Sequence, residues 1–203
     1  MKKELNYFKV ENDYGFNQDE FSNLIMKMGG CAAVTACDSL IYFKKYKGLE
    51  SLYPYDTDVI SKKDYVNFSN IIKPYLRPRL NGIDKLEIYI DGLNDYLNDI
   101  DETRIKLSSL SCDESIDTAK KFITEQIDNG YPIPCLILKH KDPSMKDFVW
   151  HWFLITGYEI SDSTTKVKVV TYGKYQWLDL GILWNTGYPR KGGLIKFKNI
   201  TTG

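Results

Sequence analysis

The chain has 203 residues, with 27 Lys plus Arg against 27 Asp plus Glu, so its formal net charge is zero. That balance gives no electrostatic case for a nucleic-acid or anionic-membrane partner, and 43% hydrophobic with 27% charged residues excludes a disordered chain. Four Cys are too few for a disulfide scaffold at this length, and two His are too few for a His-rich metal centre. No two cysteines form a C-x-x-C pair, so a zinc site is not expected either.

The N-terminus has lysines but no apolar run behind them, and no segment is apolar for long enough to span a bilayer. A cytoplasmic chain with free thiols is expected. Residues Tyr7 to Val10 suggest a short strand, and Asn12 to Asn17 a turn-rich loop. Asp19 is placed to cap a helix over Glu20 to Lys27, stopped by Gly29-Gly30. From Cys31 to about Tyr46 runs a second helix whose first half is small and apolar on every side, which marks a buried helix.

Further helices are expected over Lys62 to Tyr75, ended by Pro74 and Pro78, and over Ile83 to Leu97. A short strand follows at Arg104 to Leu110, then a helix through Ile116 to Ile127 capped by Asp113 or Ser111. Strands are expected at Ile133 to Lys139, Val149 to Glu159, Lys166 to Tyr172, Tyr175 to Leu180 and Gly193 to Lys198. Helices first and meandering strands after give an α+β class. One domain spanning 1–203 is expected, with a helical part over about 15–130 and a sheet part over about 131–200.

Covalent chemistry needs a nucleophile, a base and a group to orient the base. Cys135 lies inside an apolar strand, Cys112 in a polar loop and Cys37 mid-helix, whereas Cys31 stands at the first turn of the buried helix. The free N–H groups and positive dipole end there favour thiolate over thiol. Gly29 and Gly30 would let a substrate approach the sulfur, and the Cys31 N–H would meet an oxyanion. A lone Cys in an apolar helix is otherwise a small core residue. Of the two histidines, His140 sits at a solvated loop, while His151 opens a strand apolar on both faces and needs a polar partner. Trp150, Trp152, Tyr158, Tyr172, Tyr175, Trp177 and Trp184 flank that strand, mostly as core, with a few free to wall a cleft.

The segment from Met28 to Cys37, followed about 120 residues later by His151 to Tyr158, resembles the papain-like cysteine peptidases. Within them it is closest to the bacterial branch that includes the double-glycine-leader (bacteriocin-processing) peptidases; Ile127 to Pro134 resembles that branch's helix-to-strand junction. The likeness runs from about Asn17 to Trp184, with only the Cys and His motifs specific. It implies a helical lobe whose nucleophile helix packs on an antiparallel sheet lobe, peptide or protein substrates, and no metal or cofactor. Cys31 would be the nucleophile and His151 its ion-pair partner and general acid. Two positions depart from the family. Thr171 stands where the family has Asn or Asp, with Asp162 and Asp179 as fallbacks, and Ile25 stands where it has the oxyanion Gln. Asn23 and Gln18 are the nearby amides, and Gly30 and Trp152 are further candidates for substrate contact. The alternatives are an inactive papain-like domain that binds peptides, and an acyl transferase of the transglutaminase or amidase kind.

Overall fold

The computed structural model describes residues 1–79 and 82–199. The last residues of the expected domain, 200–203, lie outside them. Strands β1 (Lys2–Glu4), β2 (Lys9–Val10) and β3 (Asp13–Tyr14) come first, followed by helices α1 (Leu24–Gly29), α2 (Cys31–Lys47), α3 (Lys62–Ile72) and α4 (Leu86–Asp99). Next are β4 (Ile105–Ser111), α5 (Ile116–Asp128), β5 (Ile133–Ile137), β6 (His151–Ile160), β7 (Thr165–Thr171) and β8 (Lys174–Asp179). A short α6 (Leu180–Trp184) and β9 (Gly193–Asn199) complete the chain. Among the described residues no helix is long and apolar enough to cross a membrane.

The class is α+β, as expected. The main sheet is antiparallel in the order β4-β9-β5-β6-β7-β8, with β1 on β6. β5 to β8 form the expected meander. The division into a helical first part and a sheet second part is not clean, however, because β4 lies within the first part and β1 ahead of it, and both join the sheet. β4 carries the exposed Ser108, Ser109 and Ser111 and pairs along its full length with β9.

α2 is the centre of the fold. Twelve of its residues are buried, Cys31 to Phe43 almost without break, and it packs on β6, whose first eight residues are buried too. Gly48 ends α2 in the left-handed conformation at φ 66°, and Lys44, Lys45 and Lys47 face the negative end of its dipole.

Three boundaries differ from expectation for local reasons. The helix expected over Glu20 to Lys27 is split. Asn17 caps a single 3-10 turn at Gln18–Glu20, Asn23 caps α1, and between them Phe21 turns inward against Phe16 with ring centroids 4.8 Å apart. Two competing Asn caps and one buried aromatic outweigh the helical pattern. The α5 cap is Ser115, which accepts from the Thr118 N–H, while Ser111 and Asp113 hydrogen-bond to each other. α6 was not expected; Asp179 caps it through the Ile182 N–H.

Candidate active site

Cys31, His151 and Thr171 come together where the N-terminus of α2 meets the rim of the sheet. They line one cavity with Phe16, Gln18 and Asp38, and its volume is about 10 Å³, room for roughly one water. Cys31 is at the first position of α2, and His151 is the first residue of β6, opposite Ile137 of β5. Thr171 is the last residue of β7, which pairs antiparallel with β6. The antiparallel register thus brings a strand start and a strand end to the same rim, although 20 residues separate them.

His151 is held on two sides. Its Nε2 lies 2.7 Å from Thr171 Oγ1. The Tyr172 ring stacks on the imidazole with centroids 4.7 Å apart and planes 2° from parallel. Tyr172 and Gly173 are the two central residues of the β7–β8 hairpin, with φ 52° and 71°, the combination of a type I′ turn. Trp150, just before His151, also has a positive φ of 54°. Two non-glycine residues in the left-handed region, one beside each member of the His151–Thr171 pair, are a local strain that the surrounding packing maintains.

The α1–α2 junction is built differently. Gly30 both ends α1 and precedes α2, and a Cβ there would run into the Met26 carbonyl oxygen. A Cβ on Gly29 would stand 3.1 Å from the Arg79 carbonyl. The glycines were expected to leave space for substrate. They are instead needed because protein backbone already fills that space, so Gly30 is a packing residue.

Burial changes the expected charge state. Cys31 is only 5% exposed. Desolvation pushes its thiol above the ordinary range, against the opposing pull of the Trp152, Ala32 and Cys31 backbone N–H groups. Desolvation also lowers His151 to about 4. Among the described residues Sγ makes no hydrogen bond to the ring, and no charge stands close enough to offset the loss of water. Burial thus favours a thiol and a neutral imidazole at Cys31 and His151, where the sequence suggested a thiolate and an imidazolium. The helix dipole, worth typically under 1 kcal/mol near a surface, is too small to reverse full desolvation.

The other expected residues divide clearly. Gln18 is buried in the cavity wall, its Nε2 donating to the Lys27 carbonyl at 2.7 Å. One amide hydrogen is thus used to orient the side chain, and among the described residues the second has no partner. Asn23 is not at the cavity: it is exposed, and its Oδ1 accepts from the Ile25 and Met26 N–H groups as the α1 cap. Trp152 reaches Cys31 through its backbone N–H only. Its indole is buried, stacks on Tyr89 at 4.5 Å and donates to the Ile83 carbonyl, so it is a core residue and not a substrate contact. Ile25 is exposed at 59%. Asp162 is exposed on the β6–β7 turn and Asp179 is engaged as the α6 cap, so neither fallback approaches the imidazole. Trp150 is 41% exposed next to His151, with the Arg190 guanidinium 5.5 Å from its ring centre.

Asp38 escaped the sequence reading. It lies in the cavity wall, 3% exposed, accepting from Tyr65 Oη at 2.6 Å and Tyr7 Oη at 2.8 Å. Burial raises its carboxyl to about 7, against the pull of those phenols and the Phe16 N–H. An Asp seven residues along an otherwise apolar helix from the candidate nucleophile was the available clue.

No family model matches the chain, and no curated protein is similar to it in sequence. Among solved structures it is similar to UfSP from C. elegans, with a TM-score of 0.54 and 13% identity over 100% of this chain. The chain spans 35% of the length of that protein. The likeness shows a papain-like fold. It gives no support to the double-glycine-leader branch.

Proposed function

We propose that the chain is a papain-like cysteine peptidase that cleaves a peptide or protein substrate through Cys31 and His151. The single observation that carries this reading is the lock on His151. With Nε2 fixed on Thr171 Oγ1 at 2.7 Å, Nδ1 is left as the ring's free base, and His151 and Cys31 line the same cavity.

Because the resting pair is neutral, the proton moves during the reaction. Cys31 Sγ attacks the substrate carbonyl carbon as its proton passes to Nδ1 of His151, giving a tetrahedral oxyanion and an imidazolium. The Cys31 N–H, one of the unpaired N–H groups at the start of α2, and the free Gln18 amide hydrogen stabilise the oxyanion. Thr171 accepts from Nε2–H and so fixes the tautomer, but as a neutral group it does not balance the imidazolium as a carboxylate would. The imidazolium then protonates the leaving amine as the C–N bond breaks. Water, deprotonated by the neutral ring, cleaves the thioester and regenerates the thiol.

A second reading is favoured by the partner of the imidazole. Thr171 Oγ1, which faces Nε2 at 2.7 Å, is neutral where a catalytic His more often has a carboxamide or carboxylate, which suits a domain that binds peptides without cleaving them. The test is labelling with a peptidyl vinyl sulfone, followed by peptide mapping. The peptidase reading expects a single adduct on Cys31, lost in His151→Ala, together with hydrolysis of a fluorogenic peptide pool. An unlabelled Cys31 with no hydrolysis favours the binding domain.

A further inference from the structure

Asp38 lies two turns along α2 from Cys31, in the wall of the same cavity. Its two phenol donors come from separate parts of the chain, Tyr7 from the segment between β1 and β2 and Tyr65 from α3. The turn leading to Gln18 is pressed against the carboxylate. Gly15 has φ 74°, and a Cβ on it would stand 2.7 Å from Asp38 Oδ2, so backbone conformation and close approach both require glycine there. The next residue, Phe16, points its N–H at the carboxylate and stacks its ring on Tyr65 at 4.1 Å. Gln18 follows two residues later.

The titratable groups facing Asp38 are Tyr7, Tyr65, Tyr89 and Cys37, and no Lys or Arg pairs with it among the described residues. A buried carboxylate without a cation is costly to keep. A core whose only need was volume would carry an apolar side chain at this point.

We infer that Asp38 is a positioning residue: by clamping Tyr7, Tyr65 and the Gly15–Phe16 turn onto α2, it holds the Gln18 carboxamide at the Cys31 cavity. The inference rests on the peptidase reading for its purpose, though not for its geometry. Asp38 touches no reacting atom and acts through Gln18.

A double-mutant cycle on Asp38→Asn and Gln18→Ala tests it, with acylation of Cys31 by p-nitrophenyl acetate as the rate and the Gln18 side-chain amide resonance as the second readout. Gln18→Ala is expected to slow acylation roughly 100-fold, as loss of one oxyanion donor does. Asp38→Asn should slow it at least about 10-fold through kcat with KM unchanged, and the double variant should be no slower than Gln18→Ala. In the wild type the amide resonance should shift once as pH passes about 7, and stay fixed in Asp38→Asn. If Asp38→Asn fails to fold, Tyr7→Phe removes one donor, with the same direction and a smaller effect expected. Multiplicative effects in the cycle, or an amide resonance indifferent to Asp38, overturn the inference and leave the peptidase reading intact. A wild type that is never acylated, but whose amide follows Asp38, sinks the peptidase reading and leaves the positioning role standing.

Discussion

The two walls of the Cys31 cavity are fixed by opposite means. On the helical wall, position comes from what is missing: Gly29 and Gly30 carry no side chain, so the α1–α2 junction lies against the Arg79 and Met26 carbonyls. On the sheet wall, position comes from what is added. Thr171 bonds the imidazole, Tyr172 stacks on it, and Trp150 and Tyr172 hold left-handed backbone at the strand ends. The helical wall therefore fails by overpacking, whereas the sheet wall fails by losing single interactions, and the two kinds of failure differ in size.

The largest expected effect opposes one buried titratable group from each wall. His151, lowered from 6.5 to about 4, binds fewer protons folded than unfolded between those values, so it makes stability rise with pH in that window. Asp38, raised from 3.8 to about 7, binds more protons when folded, so it makes stability fall with rising pH across its window. At full span His151 is worth roughly 3 kcal/mol and Asp38 roughly 4, and in the wild type they largely cancel. His151→Gln should therefore expose a profile that falls from about pH 4 to 7, and Asp38→Asn one that rises from about pH 4 to 6.5, in urea midpoints. Parallel profiles in all three proteins would remove this contrast.

Next in size is Gly30→Ala, whose Cβ meets the Met26 carbonyl; a loss of about 2–3 kcal/mol is expected. Gly48→Ala, at φ 66° with open space around it, should cost only about 1 kcal/mol. Equal losses would mean that strain, not close packing, sets the junction. Thr171→Val should cost about 1–2 kcal/mol by leaving Nε2 unpaired and should slow Cys31 acylation roughly 10-fold, with Thr171→Asn restoring the rate. The smallest effect belongs to Tyr172→Asn. Asn suits a positive φ, which offsets the lost stack, so stability should stay within about 0.5 kcal/mol while Cys31 alkylates faster.

Much of this arrangement was legible from residue types. α2 announced itself because its first half is apolar on every side, and β5 to β9 because they are β-branched and aromatic runs between turns. Scarcity of Cys and His pointed to Cys31 and His151, and Thr171 was named only through the resemblance to the papain-like peptidases. What stayed hidden depends on tertiary contact. Gln18 could be named as a nearby amide, but that it and not Asn23 lines the cavity depends on the 3-10 turn and on Phe21 packing against Phe16. Asp38 reads as one polar residue on a buried helix until Tyr7 and Tyr65 arrive from elsewhere. A helix terminus, which favours thiolate, is visible in sequence, whereas the depth of its burial, which favours the thiol, is not.

The claim at the centre is that Cys31 and a neutral His151 work as one unit. Its most direct measurement is the rate of Cys31 alkylation by iodoacetamide between about pH 3.5 and 9, resolved by peptide mapping with Cys112 as the internal standard. Cys31 should react faster than Cys112, should slow about 10-fold in His151→Ala, and should lose its His-dependent rate only as pH falls through about 4. A Cys31 rate no greater than that of Cys112, or one unchanged by His151→Ala, would contradict it.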